Sequence, residues 1–113
     1  MNLDYAVERL YDTGWIPSMG DEFDLAGDGR RYPTPQSVQR LFESEGLQLV
    51  IKHNLMFNCH RATWAPLGEE VDADRPADRT HGTVIGSSEH EAAVYALAQV
   101  RLARTEVRPL AMA

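Results

Sequence analysis

Three apolar stripes at helical spacing are each bounded by residues that start or stop a helix. This punctuation limits the fold more than any other feature of the chain. Leu3, Ala6, Val7, Leu10 and Tyr11 form the first stripe, spaced to share one helix face. Asn2 stands where an N-cap would accept from free backbone N–H groups. Gly14 supplies a left-handed C′ residue, Trp15 packs back on the last turn, and Pro17 forbids continuation. The second stripe is Val38, Leu41 and Phe42, with Thr34 as N-cap, Pro35 at the first helical position and Gly46 as C′ before Leu47. The third is Ala93, Ala96, Leu97, Val100 and Ala103. It opens on a Ser88–Glu91 capping box, in which each side chain satisfies the other residue's backbone N–H. Glu89 and Glu91 at its start and Arg101 and Arg104 near its end suit the helix dipole. This helix is expected to stop near Arg104, leaving residues 105–113 as a tail held by Val107 and Leu110.

Strand patterns fill the space between the last two helices. Leu47 to Trp64 reads as a hairpin with arms 47–52 and 56–64 around a His53-Asn54-Leu55 turn, where Asn54 tolerates a left-handed backbone. This register pairs Ile51 with Phe57 and Leu49 with Cys59. It places Leu47, Leu49, Ile51, Phe57 and Cys59 on one face. The other face receives Val50, Lys52, Met56, Asn58, His60, Ala62 and Trp64. A two-residue turn at His53-Asn54 would move the register by one and mix polar and apolar groups on both faces, so the three-residue loop is preferred. His81 to Ile85 forms a short third strand ended by Gly86, with Thr83 and Ile85 on one face and Val84 on the other.

The expected fold is α+β: a three-stranded antiparallel sheet with two helices packed on one face and an additional N-terminal helix. Residues 1–113 make one domain. Segments 16–34 and 65–80 are long acidic loops, the first with room for a short hairpin around Phe23 and Leu25 before the Ala26-Gly27-Asp28-Gly29 turn.

The α-β-β-β-α order over residues 35–104 resembles the double-stranded RNA-binding domain fold. The junction Gly86-Ser87-Ser88-Glu89-His90-Glu91-Ala92 is similar to that family's glycine, serine, two lysines, glutamate, alanine run. Ser88, Glu91 and Ala92 match its serine, glutamate and alanine. The family's phosphate-binding lysines fall on Glu89, His90 and Ala93, none of which is a lysine. The resemblance thus implies the architecture without the basic RNA-binding motif. A small helix–sheet–helix sandwich of the phage type fits the same order of elements.

Charge narrows the function classes. The chain has 113 residues with 11 Lys+Arg against 17 Asp+Glu, a net charge of −6 and a pI near 5.1. An acidic chain is repelled by polyanions, so nucleic acid and anionic membranes are not expected partners. Nine of the 17 acids lie within Asp21–Asp28 and Glu69–Asp78, so the helices and sheet are closer to neutral than the total suggests. No apolar run reaches the roughly 20 residues of a membrane span. A single cysteine, Cys59, excludes an internal disulfide framework and suits a reduced, cytoplasmic setting.

No catalytic set emerges. Cys59 and His60 are adjacent in a strand and point to opposite faces, so they do not share an ion with His53, His81 or His90. Cys59, buried against Leu49 in the preferred register, is an inert thiol. The acidic segments lack an EF-hand ligand run, and Gly27-Asp28-Gly29-Arg30-Arg31 lacks the ending of a phosphate loop. No cofactor, metal or catalytic residue is assigned. The expected function is a non-catalytic protein-binding or self-assembly module. Its contact residues are Asn58, His60 and Trp64 on an apolar outer sheet face, with Arg30, Arg31 and Tyr32 beside it. That face is expected either to lie under the first helix or to meet a second copy or another protein. A small metal-dependent hydrolase using His60, His81 and nearby acids is the alternative reading, and a degenerate RNA-binding-like fold with weak or no nucleic-acid binding is the third.

Overall fold

The computed structural model describes residues 3–17, 22–72, 74–78 and 80–112, with side chains of the last helix described as far as Ala103. The elements in chain order are α1 (Leu3–Asp12), β1 (Phe23–Leu25), β2 (Arg31–Pro33), α2 (Pro35–Ser44), β3 (Leu47–Asn54), β4 (Cys59–Pro66), β5 (Gly82–Gly86) and α3 (Glu89–Met112). The fold is α+β. β3, β4 and β5 form an antiparallel sheet in that order, and β1 and β2 form a separate two-stranded hairpin, the short one for which the first acidic loop had room.

The helix ends follow the local rules. Gly14 (φ 85°) and Gly46 (φ 79°) both take the left-handed conformation that ends a helix, which costs glycine little because it has no Cβ. Trp15 packs back on the last turn of α1, stacked on Tyr11 at 5.6 Å. The Thr34 side chain accepts from Ser37 N–H at 3.3 Å, with Pro35 following as the first helical residue. The expected cap Asn2 lies outside the described residues. At α3 the capping box is half formed. Ser88 Oγ accepts from Glu91 N–H at 3.0 Å, while the Glu91 carboxylate turns to Ser87, accepting from its N–H at 2.6 Å and its hydroxyl at 3.1 Å. Gly86 makes this possible, since a Cβ there would sit 2.7 Å from both Ala92 N and Glu91 Oε2. Past Arg104 the chain stays helical to Met112, where a tail was expected. Residues 105–108 contain neither glycine nor proline to end it.

The β3–β4 register corrects the expected one. Leu49 faces Trp64, Ile51 faces Ala62, His53 faces His60 and Asn54 faces Cys59. The turn is Leu55-Met56-Phe57-Asn58, later and longer than His53-Asn54-Leu55. Leu49 therefore meets Trp64 in place of Cys59, five positions along. An odd displacement turns every β4 side chain to the opposite face. Ala62 and Trp64 thus join Leu47 and Leu49 on the inner face and are buried in the core. The two-residue turn set aside above has this same parity, so the mixed-face pattern that argued against it is the one the protein adopts.

α2 and α3 pack together and against this inner face, while α1 packs on α3. α3 is therefore buried on more than one side: Ala92, Ala93, Val94, Ala96, Leu97, Ala98 and Val100 are all buried. Its small alanines let two layers approach one helix. Arg101 secures the contact by donating from Nε to Thr13 Oγ1 (2.8 Å) and from Nη2 to the Thr13 carbonyl (3.4 Å) at the end of α1. α1 thus covers α3 and not the outer sheet face.

The segment after Pro66 folds back toward that outer face. Leu67 N–H donates to the Gly46 carbonyl, and Gln48 Nε2 donates to the carbonyls of Pro66 and Glu69. Ala65 and Thr63, whose side chains point outward, are consequently 0% and 5% exposed. His81, buried, clasps the far end: Nδ1 lies 3.1 Å from Asp78 Oδ1 and Nε2 lies 3.3 Å from Glu69 Oε2. Asp78 also accepts from the N–H groups of Thr80 and His81, each at 2.8 Å. These bonds, the Thr80 N–H first and the His81 ring next, hold its carboxyl far below the ordinary range, because each favours the charged form.

Candidate functional site

The six residues expected to bind a partner fall in three places. Trp64 is in the core, 5% exposed, with its ring edge-to-face on Phe42 at 5.9 Å. Register is the reason, and it removes Trp64 from any surface. Arg30, Arg31 and Tyr32 belong to the β1–β2 hairpin and hold it on the helices. Arg30 Nε donates to Asp28 Oδ2 at 2.6 Å, and its guanidinium lies 5.6 Å from the centre of the Tyr11 ring. Asp28 is held below the usual carboxylate range, first by the Arg30 backbone N–H. The Arg31 carbonyl accepts from the Tyr11 hydroxyl at 2.6 Å, while its own side chain is exposed. Tyr32 is buried with its ring edge toward His90 at 5.9 Å. Burial, and after it the negative charge of Asp24, pushes its phenol above the usual range.

The same hairpin occupies the surface that the RNA-binding resemblance points to. His90 meets Tyr32 and lies 3.3 Å from Asp24, and Ala93 is buried. Two of the three positions corresponding to phosphate-binding lysines are therefore engaged within the fold.

Asn58 and His60 lie at the end of the β3–β4 hairpin and not on the outer sheet face as expected: Asn58 belongs to the turn, and His60, half-buried opposite His53, shares the inner-face side with Ala62 and Trp64. This end is built with care for a loop. Asn54 Oδ1 accepts from the N–H groups of Met56 (3.0 Å) and Phe57 (3.2 Å), an Asx-type turn that replaces a backbone ladder. Asn58 closes the turn with a left-handed backbone (φ 47°), a conformation asparagine tolerates better than most residues. The left-handed residue is thus Asn58, while Asn54 acts through its side chain. His53 and His60 stack across the strands at 4.4 Å with planes 8° apart, and His53 Nε2 lies 3.2 Å from Asn58 Oδ1. Cys59 sits opposite Asn54, half-buried, and not against Leu49 as expected.

The turn that these bonds fix carries three consecutive large apolar side chains into solvent. Leu55 is 82% exposed, Met56 85% and Phe57 72%. The expected register had distributed Met56 and Phe57 over two strand faces and so hid the cluster. The signal available in the sequence was the apolar triplet bracketed by Asn54 and Asn58, both turn formers. Below the tip, Lys52 and Arg61 stand directly opposite each other on the outer face. From Leu47 to Pro66 there is no Asp or Glu, so an otherwise acidic protein presents one hairpin without negative charge.

His60 and His81 do not converge on a common set of acids, and among the described residues no group of three His, Cys, Asp or Glu side chains is placed to share a metal ion. Among the described residues no helix is long and apolar enough to cross a membrane. Comparison with family models, curated proteins and solved structures finds no match.

Proposed function

We propose that this chain is a non-catalytic protein-binding module that docks through the tip of the β3–β4 hairpin. The observation that carries the reading is the exposure of Leu55, Met56 and Phe57 on a turn already ordered by Asn54, Asn58 and the His53–His60 stack. Contiguous exposed apolar surface of this kind marks interaction sites. A pre-ordered tip also loses little conformational entropy on binding. Burying one such side chain contributes about 1.5–3 kcal/mol, so three of them suffice as the anchor of an interface.

Charge selects the partner. A hairpin with Lys52 and Arg61 and no acidic residue between Leu47 and Pro66 suits a protein surface with an apolar pocket and an acidic rim. The net charge of −6 opposes an anionic bilayer as the occupant. Self-assembly through the outer sheet face gains no support, because Trp64 is not on that face and the segment after Pro66 folds toward it.

A photoreactive side chain in place of Phe57 should crosslink to one protein in cells, and the purified pair should bind directly. A Leu55→Ser, Met56→Ser, Phe57→Ser variant should then weaken the binary complex at least a hundredfold, whereas Ile16→Ser, at another exposed apolar position, should not. Equal binding by the tip variant, or binding only to phospholipid vesicles, would overturn the proposal. A twofold mass by light scattering that the tip variant abolishes would reassign the occupant to a second copy.

A further inference from the structure

We propose that Lys52, Arg61 and Thr63 form a binding site for a phosphomonoester on the outer face of the hairpin. The three side chains share that face because Lys52 pairs with Arg61, and Val50 with Thr63, in the β3–β4 ladder. With Val50 and Val71 they line a cavity of about 200 Å³. Val71 belongs to the segment after Pro66, which Gln48 fixes at Pro66 and Glu69 and His81 fixes at Asp78. The wall is therefore held in place by the fold and does not depend on the ligand.

Directly opposed like charges destabilise a strand pair. Here the pair is retained in a protein with a surplus of acids, and among the described residues neither Lys52 nor Arg61 forms an ion pair. Glu70 and Asp72 flank Val71 in the chain, yet neither closes one with them. Such a pair awaits an anion from outside.

Charge and shape define its class. A phosphomonoester carries close to two negative charges at neutral pH, matching two cations, whereas a carboxylate carries one. The Arg61 guanidinium is a planar fork suited to two phosphoryl oxygens, and the Lys52 ammonium acts as a point charge. Thr63 Oγ1 lies 3.4 Å from Thr83 Oγ1; each hydroxyl can donate or accept, so with Thr83 as the donor the Thr63 proton serves a third oxygen. Val50 and Val71 offer an apolar edge for a few carbon atoms of the ester. The cavity is smaller than the 300 Å³ or so at which drug-sized sites begin, so it takes the phosphoryl end and little more.

The ester can be a free metabolite or a phosphorylated side chain of another protein, and both present the same group. Titration of the full chain with phenyl phosphate, followed by the backbone amides of residues 50, 52, 61 and 63, tests the small-molecule arm. A phosphoserine peptide tests the protein arm, and it binds at least tenfold tighter than phenyl phosphate if the ester belongs to a partner. Lys52→Gln and Arg61→Gln, both at exposed positions, should each weaken binding at least tenfold with unchanged circular dichroism. Benzoate should bind at least tenfold more weakly than phenyl phosphate. The proposal is overturned if neither phosphate probe saturates, if the two variants bind as wild type, or if benzoate binds equally well. The phenyl phosphate arm requires no partner and no tip residue, so its failure is distinct from failure of hairpin docking.

Discussion

Replacing Gly82 with alanine tests the sheet register through one methyl group. Gly82 faces Trp64 in the β4–β5 ladder, and a Cβ at residue 82 would lie 2.6 Å from Trp64 Cε2, 2.8 Å from Cη2 and closer still to Cζ2. Carbon atoms pack at about 3.5–4.0 Å, so the indole would have to move by roughly 1 Å. It has little freedom to do so, because its ring is buried and set against Phe42. Overpacking of this kind costs about 1–3 kcal/mol. Alanine offsets about 0.4–1 kcal/mol of that by restricting the unfolded chain. With three indole carbons well inside contact distance the upper part of the first range applies, about 2–3 kcal/mol, so the net loss is about 1–2.5 kcal/mol, which at a urea slope of about 1–3 kcal/mol/M lowers the midpoint by roughly 1 M. The partner experiment is Gly82→Ala in a Trp64→Leu background, where the methyl gains room. The two substitutions should then couple favourably by about 1 kcal/mol or more. Equilibrium urea unfolding followed by far-ultraviolet circular dichroism measures all four corners of the cycle. A neutral Gly82→Ala, or a penalty unchanged without the indole, would refute the placement of Trp64 on the inner face.

Other perturbations test the remaining links. Gly86→Ala should force Glu91 off Ser87 and cost about 1–3 kcal/mol in the same assay, and Glu91→Ala, which leaves Ser87 N–H without its acceptor, should cost a similar amount. Ser88→Ala removes only the cap to Glu91 N–H and should cost about 1 kcal/mol. Asp78, whose carboxyl is held below its unfolded value near 3.9, binds fewer protons folded than unfolded as the solution is acidified. Its stabilisation is complete above the ordinary carboxylate range and is lost as pH falls through the folded value. Asp78→Asn should therefore flatten the dependence of urea stability on pH between about pH 5 and pH 2, and an unchanged slope would detach Asp78 from the His81 clasp. The triple serine tip variant should alter stability by no more than about 0.5 kcal/mol, because its side chains touch mainly water.

Much of the local structure was legible from the chain, and for one reason. Helix ends are decided by residues within a turn of one another: Thr34 reaches Ser37, Ser88 reaches Glu91, and Gly14 and Gly46 need only their own backbone freedom. The candidate site was much less legible. Asn58 and His60 read as outer-face strand residues, whereas Asn58 belongs to the turn and His60 is half-buried on the inner-face side; the apolar triplet between Asn54 and Asn58 looked like strand because Met56 and Phe57 fit either reading. Arg30 and Tyr32 looked free because Tyr11, Trp15 and His90, their partners, are distant in sequence.

What the sequence determined by itself, then, is where α2 and α3 begin, where α1 and α2 stop, and that a hairpin and a third strand lie between the last two helices. What the tertiary structure decided is which way β4 faces. That choice turns on whether the loop takes three residues or four, a difference small beside the gain from seating Trp64 between Phe42 and Gly82. The same long-range packing surrounds α3 on more than one side and folds the segment after Pro66 toward the outer sheet face. It leaves Leu55, Met56 and Phe57 outside, since among the described residues nothing packs over a tip that lies beyond the end of the ladder.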